Sequence, residues 1–177
     1  MNNKQSVIKL LNETNDQFNS YIKTLDKNQF ESNPSNKWSA GQDLQHLVKV
    51  LKIVNIGFIV PKFILSILFG KNNNEIRSFE TLRDTYSKAL SHGAKSPAIY
   101  VPKPILFQGK ENLLLSHVKL NASLIKKINN TSEFDLDKYR LPHPILGKVT
   151  LKELAIFSCF HTQHHLELLH KKIGQIV

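Results

Sequence analysis

Apolar side chains recur at intervals of three and four residues in four long stretches of this chain, and this periodicity constrains its fold more than any other feature. The stretches cover about residues 4–26, 39–61, 109–128 and 150–174. Such spacing places the apolar side chains on one face of an α-helix. Ser39 with Gln42, and Thr150 with Glu153, have the spacing of a capping box, which marks a helix start. Because no alternating β pattern competes, the sequence predicts an all-α protein, an antiparallel four-helix bundle.

The connections between these helices are predicted to differ in structure. The sequence ESNPSNK at 31–37 ends the first helix, because Pro34 and its polar neighbours do not continue an apolar face. Residues 79–93 have a shorter amphipathic pattern, so we expect a short extra helical excursion between the second and third long helices. The link over 129–148 is polar. The chain, residues 1–177, has the length of a single domain.

The most apolar segment, IVNIGFIVPKFILSILF at residues 53–69, raises the question of a membrane span. Asn55, Pro61 and Lys62 interrupt it and leave about eight consecutive apolar residues, whereas a span needs roughly 18 to 20. Pro61 is expected to bend or end the second helix, since proline lacks the backbone N–H. We therefore expect, in this order, a buried connector, a homodimer surface or an element that touches a membrane.

The formal net charge of +10 does not by itself indicate specific nucleic-acid binding. Only Arg77, Arg83 and Arg140 are arginines, whereas recognition of bases and phosphates favours clustered arginine side chains. The scattered lysines indicate a solvated surface instead. A single cysteine, Cys159, excludes an internal disulfide. Together with an N-terminal sequence that has no signal-peptide core, it favours a cytoplasmic protein.

Histidines are concentrated in the last helix, where His161, His164, His165 and His170 lie within ten consecutive positions. On a helical wheel His161 and His165 lie one turn apart on the inward face, close enough to share a metal ion, and His164 lies on the flank of that face. A divalent cation would satisfy both buried imidazoles, and a hydrogen-bonded core pair is the alternative. Cys159 faces almost away from His161, so it is a poor candidate for a ligand.

A third ligand is expected from a facing helix, because open metal sites commonly use three protein ligands. His46, which lies among apolar residues of the second helix, is the best candidate, and His117 on the third helix is the competing or supplementary one. Asp43, one turn before His46, either orients an imidazole or complements the helix dipole, and the dipole role is slightly favoured. Thr162 follows His161 where zinc proteases of the His-Glu-x-x-His type carry a glutamate, so that mechanism is excluded.

Three segments in order along the chain carry a family resemblance: WSAGQDLQHLVKV (38–50), LPHPILGKVTLKEL (141–154) and FHTQHHLELL (160–169). Together they resemble the DinB-like metalloenzyme superfamily. Its pattern has Trp-Ser before a helix with a histidine, then a His-Pro-x-x-Gly turn, then a final helix with His-x-x-x-His. The resemblance implies an up-down-down-up four-helix bundle. It also implies that His46, His161 and His165 bind a divalent metal ion, nickel or zinc.

The expected chemistry follows from an open three-nitrogen metal site, which can acidify water, hold a thiolate or polarise a carbonyl group. We therefore expect a metal-dependent hydrolase or thiol-dependent transferase that acts on a small molecule, with a low-molecular-weight thiol as one candidate. The resemblance also implies a homodimer. The alternative is a non-catalytic binding or scaffold bundle that contacts a membrane through residues 53–69 and whose histidines are structural.

Overall fold

The structure, a computed structural model, describes residues 3–33 and 37–174, and this part of the chain is mostly helical, as predicted. Its α-helices are α1 (Lys4–Thr24), α2 (Lys27–Glu31), α3 (Ala40–Ile59), α4 (Lys62–Phe69), α5 (Phe79–Ser91), α6 (Lys110–Asn129), α7 (Glu133–Lys138) and α8 (Leu151–Ile173). Short 3₁₀ helices at Ala98–Tyr100 and Phe107–Gly109 lie between α5 and α6. Pro34, which was expected to end the first helix, lies outside the described residues.

The two helices that carry the histidines begin at the predicted capping sequences. The Ser39 hydroxyl accepts the backbone N–H of Gln42, and the Gln42 side chain accepts the backbone N–H of Ser39. Thr150 and Glu153 make the same reciprocal pair at the start of α8. Each capping box satisfies backbone donors that a helix start otherwise leaves unpaired. These caps fix where α3 and α8 begin, and therefore which residues face the core.

A short antiparallel hairpin precedes α8, so the expectation that no strands form is wrong here. Strand β1 (Arg140–His143) pairs with β2 (Gly147–Thr150). Gly147 has a φ of 70°, a left-handed conformation that glycine adopts without steric cost. Nδ1 of His143 accepts two backbone N–H groups of the turn, so this residue shapes the turn into α8. Strands of four residues are too short to give an alternating pattern in the sequence.

The long helices pack in a regular pattern around the core. Helix α1 packs against α6 and α8, α3 packs against the same two helices, and α5 packs against α8. The buried apolar residues form two clusters, one containing Leu51 and Phe157 and the other containing Leu44 and Leu169. Each cluster contains residues of both α3 and α8. The residues that lie between the two clusters along these helices therefore face each other across the core.

Pro61 separates α3 from α4, as predicted, and the two helices meet at an angle of 101°. The expectation of a buried connector is correct only for the inner face, where Phe58 and Leu65 are buried. The outer face exposes six large apolar side chains, namely Ile53, Ile56, Ile59, Phe63, Ile67 and Leu68. Within the described residues, no single helix is both long enough and apolar enough to cross a membrane. The bent pair α3 and α4 reaches that length and apolar content only when its two helices are counted together.

Candidate metal centre

Three buried imidazole rings from two helices meet at one point in the core. His46 lies on α3, and His161 and His165 lie one turn apart on α8. Nε2 of His161 is 3.3 Å from Nε2 of His46 and 3.3 Å from Nε2 of His165. One nitrogen of each ring lies within 4.8 Å of those of the other two, and all three residues are at most 5 % exposed. The structure thus brings together the three histidines that the sequence singles out.

Hydrogen bonds fix the second ring nitrogen of two of these histidines. Nδ1–H of His46 donates to the backbone carbonyl of Tyr100 at 3.0 Å, and Nδ1–H of His165 donates to Oδ1 of Asp43 at 2.9 Å. A carbonyl oxygen can only accept a hydrogen bond, so a neutral His46 must carry its proton on Nδ1. The Asp43 carboxylate imposes the same tautomer on His165. In both rings, Nε2 is then an unprotonated nitrogen whose lone pair is available to a ligand.

The three rings have too few N–H groups to form a hydrogen bond at each of the contacts between their Nε2 atoms. A neutral His161 carries one N–H, so its Nε2 can make a full hydrogen bond to His46 or to His165 but not to both. At least one buried Nε2 therefore has no donor among the three rings. An unpaired buried acceptor costs about 1–3 kcal/mol. A divalent cation removes this cost because it accepts the lone pairs of all three nitrogens.

Burial keeps the three rings in the neutral form. Loss of solvation lowers the pKa of His46 below its usual value. It lowers the pKa of His161 and of His165 well below the usual value, and the neighbouring histidines act in the same direction. Neutral imidazole is the form that binds metal ions. The rings are therefore in the protonation state that a metal requires.

The spacing of the nitrogens fits a divalent transition metal. Histidine nitrogens bind zinc at about 2.0–2.1 Å, so two of them in a tetrahedral site are about 3.4 Å apart. The two 3.3 Å separations from Nε2 of His161 agree with this value. Imidazole donors also suit zinc, nickel or copper better than magnesium or calcium, which prefer oxygen ligands. The residues present therefore fit the divalent metal ion that the sequence predicts.

Asp43 orients a histidine of the cluster, so the dipole role favoured from the sequence is wrong as its main role. Its side chain is 2 % exposed, and both of its oxygens are bonded to α8. Oδ1 accepts from His165, and Oδ2 accepts from the ammonium group of Lys172, which also donates to the carbonyl of Trp38. Burial raises the pKa of Asp43 to about 6, although Lys172 opposes the shift. Such a carboxylate fixes the tautomer and the orientation of a ligating ring.

A cavity of about 410 Å³ lies beside the cluster, and His46 and His165 form part of its wall. Its volume is in the range of small-molecule binding sites, which is roughly 300–1,000 Å³. The indole ring of Trp38 also lines it and lies parallel to the ring of His165, with ring centroids 6.3 Å apart. A smaller cavity of about 70 Å³ reaches His46 and His161 from the side of the hairpin. The cluster is therefore accessible to a small molecule.

The other candidates from the sequence lie outside the cluster. Nδ1 of His117 is bonded to Oδ1 of Asn19 at 2.8 Å, so His117 faces α1 and does not compete with His46. His164 lies on the wall of the larger cavity, on the flank of the inward face, as predicted. Cys159 is buried with its Sγ directed at backbone carbonyls, so it is not a ligand, also as predicted.

The nearby polar side chains on α8 have structural partners. The Thr162 hydroxyl donates to the carbonyl of Ser158, so this position carries no base, as the exclusion of the zinc-protease mechanism requires. Glu153 caps α8 and forms an ion pair with Arg77 at 2.8 Å. The carboxylate nearest the cluster is therefore that of Asp43, and His165 and Lys172 occupy both of its oxygens.

Some contributors to the site gave no signal in the sequence. The carbonyl of Tyr100 belongs to a 3₁₀ helix, and a backbone group leaves no trace in the pattern of side chains. Tyr86 fits the apolar face of α5, but its ring also packs edge-on against His161, with centroids 5.9 Å apart. Lys172 lies near the end of α8 among other basic residues. Each contribution depends on contacts between helices that are distant in sequence.

A mostly helical fold that holds three converging histidines beside a cavity defines a class of protein suited to bind a divalent metal ion. The family model of the DinB superfamily matches residues 10–169, and the chain belongs to this superfamily. The resemblance noted from the motifs is thereby confirmed. Proteins of this superfamily bind divalent metals. Among curated proteins there is no significant match to the chain.

Proposed function

We propose that this protein is a divalent-metal-dependent enzyme, a hydrolase or a thiol-dependent transferase, with His46, His161 and His165 as its metal ligands. The proposal depends mainly on one observation. The Nε2 atoms of three buried, neutral histidines converge, and the rings have too few N–H groups to hydrogen-bond at every contact. Membership of a metal-binding superfamily supports it. Nickel and zinc are the metals proposed, because both accept imidazole nitrogen.

The proposal includes an up-down-down-up bundle formed by α1, α3, α6 and α8. It is supported by the packing of α1 and of α3 against both α6 and α8, which is the pattern expected when four helices surround one axis. In such a bundle α3 and α8 are neighbours, so ligands from both can meet at the axis.

When bound, a divalent cation supplies a Lewis acid that polarises a substrate or lowers the pKa of a coordinated water or thiol. The side chains of the protein hold the ion, orient its ligands and line the adjacent cavity. His46, His161 and His165 hold the ion, and Asp43 keeps the ring of His165 in one tautomer and one orientation. Trp38 provides an apolar part of the wall of the adjacent cavity. The substrate is proposed to be a small molecule that fits this cavity.

Metal analysis of protein purified without an immobilised-nickel column tests the proposal. We expect about one divalent ion per chain, and its loss in His161→Ala and His165→Ala. His92→Ala is the matched control, since His92 is exposed at the end of α5 and outside the cluster. The proposal would be wrong if the protein bound neither nickel nor zinc and if the two cluster variants kept the thermal stability of the wild type.

The reaction type is tested with the metal-loaded protein. An electrophilic small molecule is incubated with the protein in the presence and in the absence of a low-molecular-weight thiol. Consumption that requires the thiol indicates a transferase, whereas consumption in water alone indicates a hydrolase. Loss of either activity in His165→Ala, with full activity in His92→Ala, would assign it to the cluster.

We further propose that the exposed apolar side chains of residues 53–69 form a homodimer surface. Contiguous exposed apolar side chains commonly mark an interaction site, and Phe63 and Ile67 are 66 % and 77 % exposed. Light scattering is expected to give a mass of about twice 20.2 kDa. Phe63→Lys with Ile67→Lys should give the monomer. Sedimentation of metal-free protein with anionic liposomes would instead favour the alternative, a membrane-contacting scaffold.

A further inference from the structure

The cavity beside the three histidines carries more positive than negative charge. The side chains of Lys37, Lys171 and Lys172 line it, and the carboxylate that lines it is that of Asp43. Lys172 and Asp43 form an ion pair, and the second oxygen of Asp43 accepts from His165. Both oxygens of the carboxylate are therefore occupied, so it offers no free oxygen to Lys37 or Lys171.

Lys37 and Lys171 are both exposed at the wall of the cavity. In the part of the chain that the structure describes, the ammonium groups of Lys37 and Lys171 make no ion pair and no hydrogen bond. Glu167 lies one turn before Lys171 on α8, but it lines a separate hollow with Arg83. Two cations at the wall of a cavity raise the local concentration of anions by focusing the electrostatic field.

The rest of the wall contains an apolar region. Trp38 contributes its indole ring, and Leu90 and Leu168 contribute partly exposed aliphatic side chains. A cavity that combines apolar walls with a few charged groups binds ligands that have both features, because the apolar area gives affinity and the charges fix orientation. The volume of about 410 Å³ is enough for a small organic molecule.

We propose that this cavity binds an amphipathic anion, whose negative group is held by Lys37 and Lys171 and whose apolar part packs against Trp38, Leu90 and Leu168. The inference rests on the proposed function, because it takes the cavity as the substrate site of the metal centre. Charge-assisted hydrogen bonds from the two ammonium groups provide the selectivity for an anion. An uncharged or cationic molecule of the same shape lacks these bonds.

A set of three probes of nearly equal shape tests the proposal: phenylbutyrate, phenylbutyramide and phenylbutylamine. Their affinities for the full-length protein are measured by titration calorimetry, with and without added zinc. We expect phenylbutyrate to bind roughly tenfold more tightly than the amide, which is the effect of two exposed ion pairs. The amine is expected to bind most weakly. The preference for the anion should decrease as the salt concentration rises.

Two double variants with the same net charge identify the lysines responsible. Lys37→Gln with Lys171→Gln should remove the preference for phenylbutyrate over the amide and leave the affinity for the amide unchanged. Lys52→Gln with Lys126→Gln removes two exposed lysines elsewhere and should keep the preference. The inference is overturned if the three probes bind equally, if none binds, or if the cavity variant keeps the preference.

Metal content, measured on the same samples, separates this inference from the proposed function. A stoichiometric metal ion without any preference for the anion would overturn the anion site and leave the metal enzyme standing. A clear preference that the Lys37 and Lys171 variants abolish, in a protein that binds no metal, would contradict the proposed function instead. The anion site would then stand as a binding site without metal chemistry.

Discussion

Replacing Asp43 with asparagine tests how the chain holds the ring of His165. Asp43 and Lys172 are both buried, with side chains 2 % and 9 % exposed, and the carboxylate bridges Lys172 and His165. Asparagine keeps the size of the side chain but replaces one acceptor oxygen with an NH₂ group. Whichever way the amide is turned, that NH₂ group faces the ammonium group of Lys172 or Nδ1–H of His165. The amide therefore either leaves the ammonium group of Lys172 without this acceptor or moves the proton of His165 from Nδ1 to Nε2, and in both cases Lys172 loses its anionic partner.

The expected size of the effect follows from these contacts. Removing one partner of a buried ion pair costs about 3–5 kcal/mol. Since the remaining oxygen of asparagine keeps one hydrogen bond, we expect a loss near the lower end, about 3 kcal/mol, in the free energy of unfolding of the metal-free protein. Loss of the carboxylate that orients a ligand is expected to weaken metal binding about 10- to 100-fold. Urea unfolding measures the first quantity, and competition with a chromophoric chelator measures the second.

A double variant provides the control. Lys172→Met removes the buried ammonium group that Asp43→Asn leaves without an anion. The double variant Asp43→Asn with Lys172→Met should therefore lose less stability than the sum of the single variants, by about 1–3 kcal/mol. The role assigned to Asp43 would be refuted if Asp43→Asn left stability within about 0.5 kcal/mol of the wild type and metal affinity unchanged.

Three further predictions concern groups outside the cluster. Burial raises the pKa of the Cys159 thiol, so Ellman's reagent should label it only after unfolding, and rapid labelling of the folded protein would contradict its burial. Burial lowers the pKa of His143 to about 4 in the folded chain, so the unfolded state binds more protons as the pH falls below about 6.5 and stability decreases. His143→Asn keeps an acceptor for the turn. Between about pH 7 and about pH 5, its free energy of unfolding should fall by about 2 kcal/mol less than that of the wild type. Equal losses of both proteins in urea unfolding would exclude this role of His143. In Gly41→Ala the new Cβ would lie 2.8 Å from the buried ring of Phe30, so the variant should be destabilised by about 1–3 kcal/mol, and an unchanged melting temperature would contradict that packing.

Much of the helical structure could be predicted because local signals determine it. The caps at Ser39 and Thr150 and the break at Pro61 each act within a few residues, and the structure has helix boundaries at these positions. Helices α2 and α7 and the hairpin were not predicted, because elements of four to six residues are too short to develop a period. The exposure of Phe63 also could not be predicted, since its apolar character alone suggests burial.

The sequence predicted which histidines converge at the candidate site, but not the groups that hydrogen-bond to them. The spacing of His161 and His165 is local to one helix, and His46 lies at an inward position of another, so both positions follow from helical periodicity. The bond from His165 to Asp43 joins residues 122 positions apart, and its existence depends on how α3 packs against α8. The sequence therefore left the role of Asp43 open, and the dipole role that it slightly favoured is not its main one.

Anomalous diffraction from crystals of the protein, grown after incubation with zinc or nickel, shows whether the three histidines bind a metal ion. Data collected on both sides of the absorption edge of the metal locate that element in the electron density. We expect one strong anomalous peak about 2.0–2.1 Å from Nε2 of His46, His161 and His165, with its open side toward the cavity lined by Trp38. An ordinary water molecule among the three rings, with no anomalous signal there at saturating metal, would contradict the account.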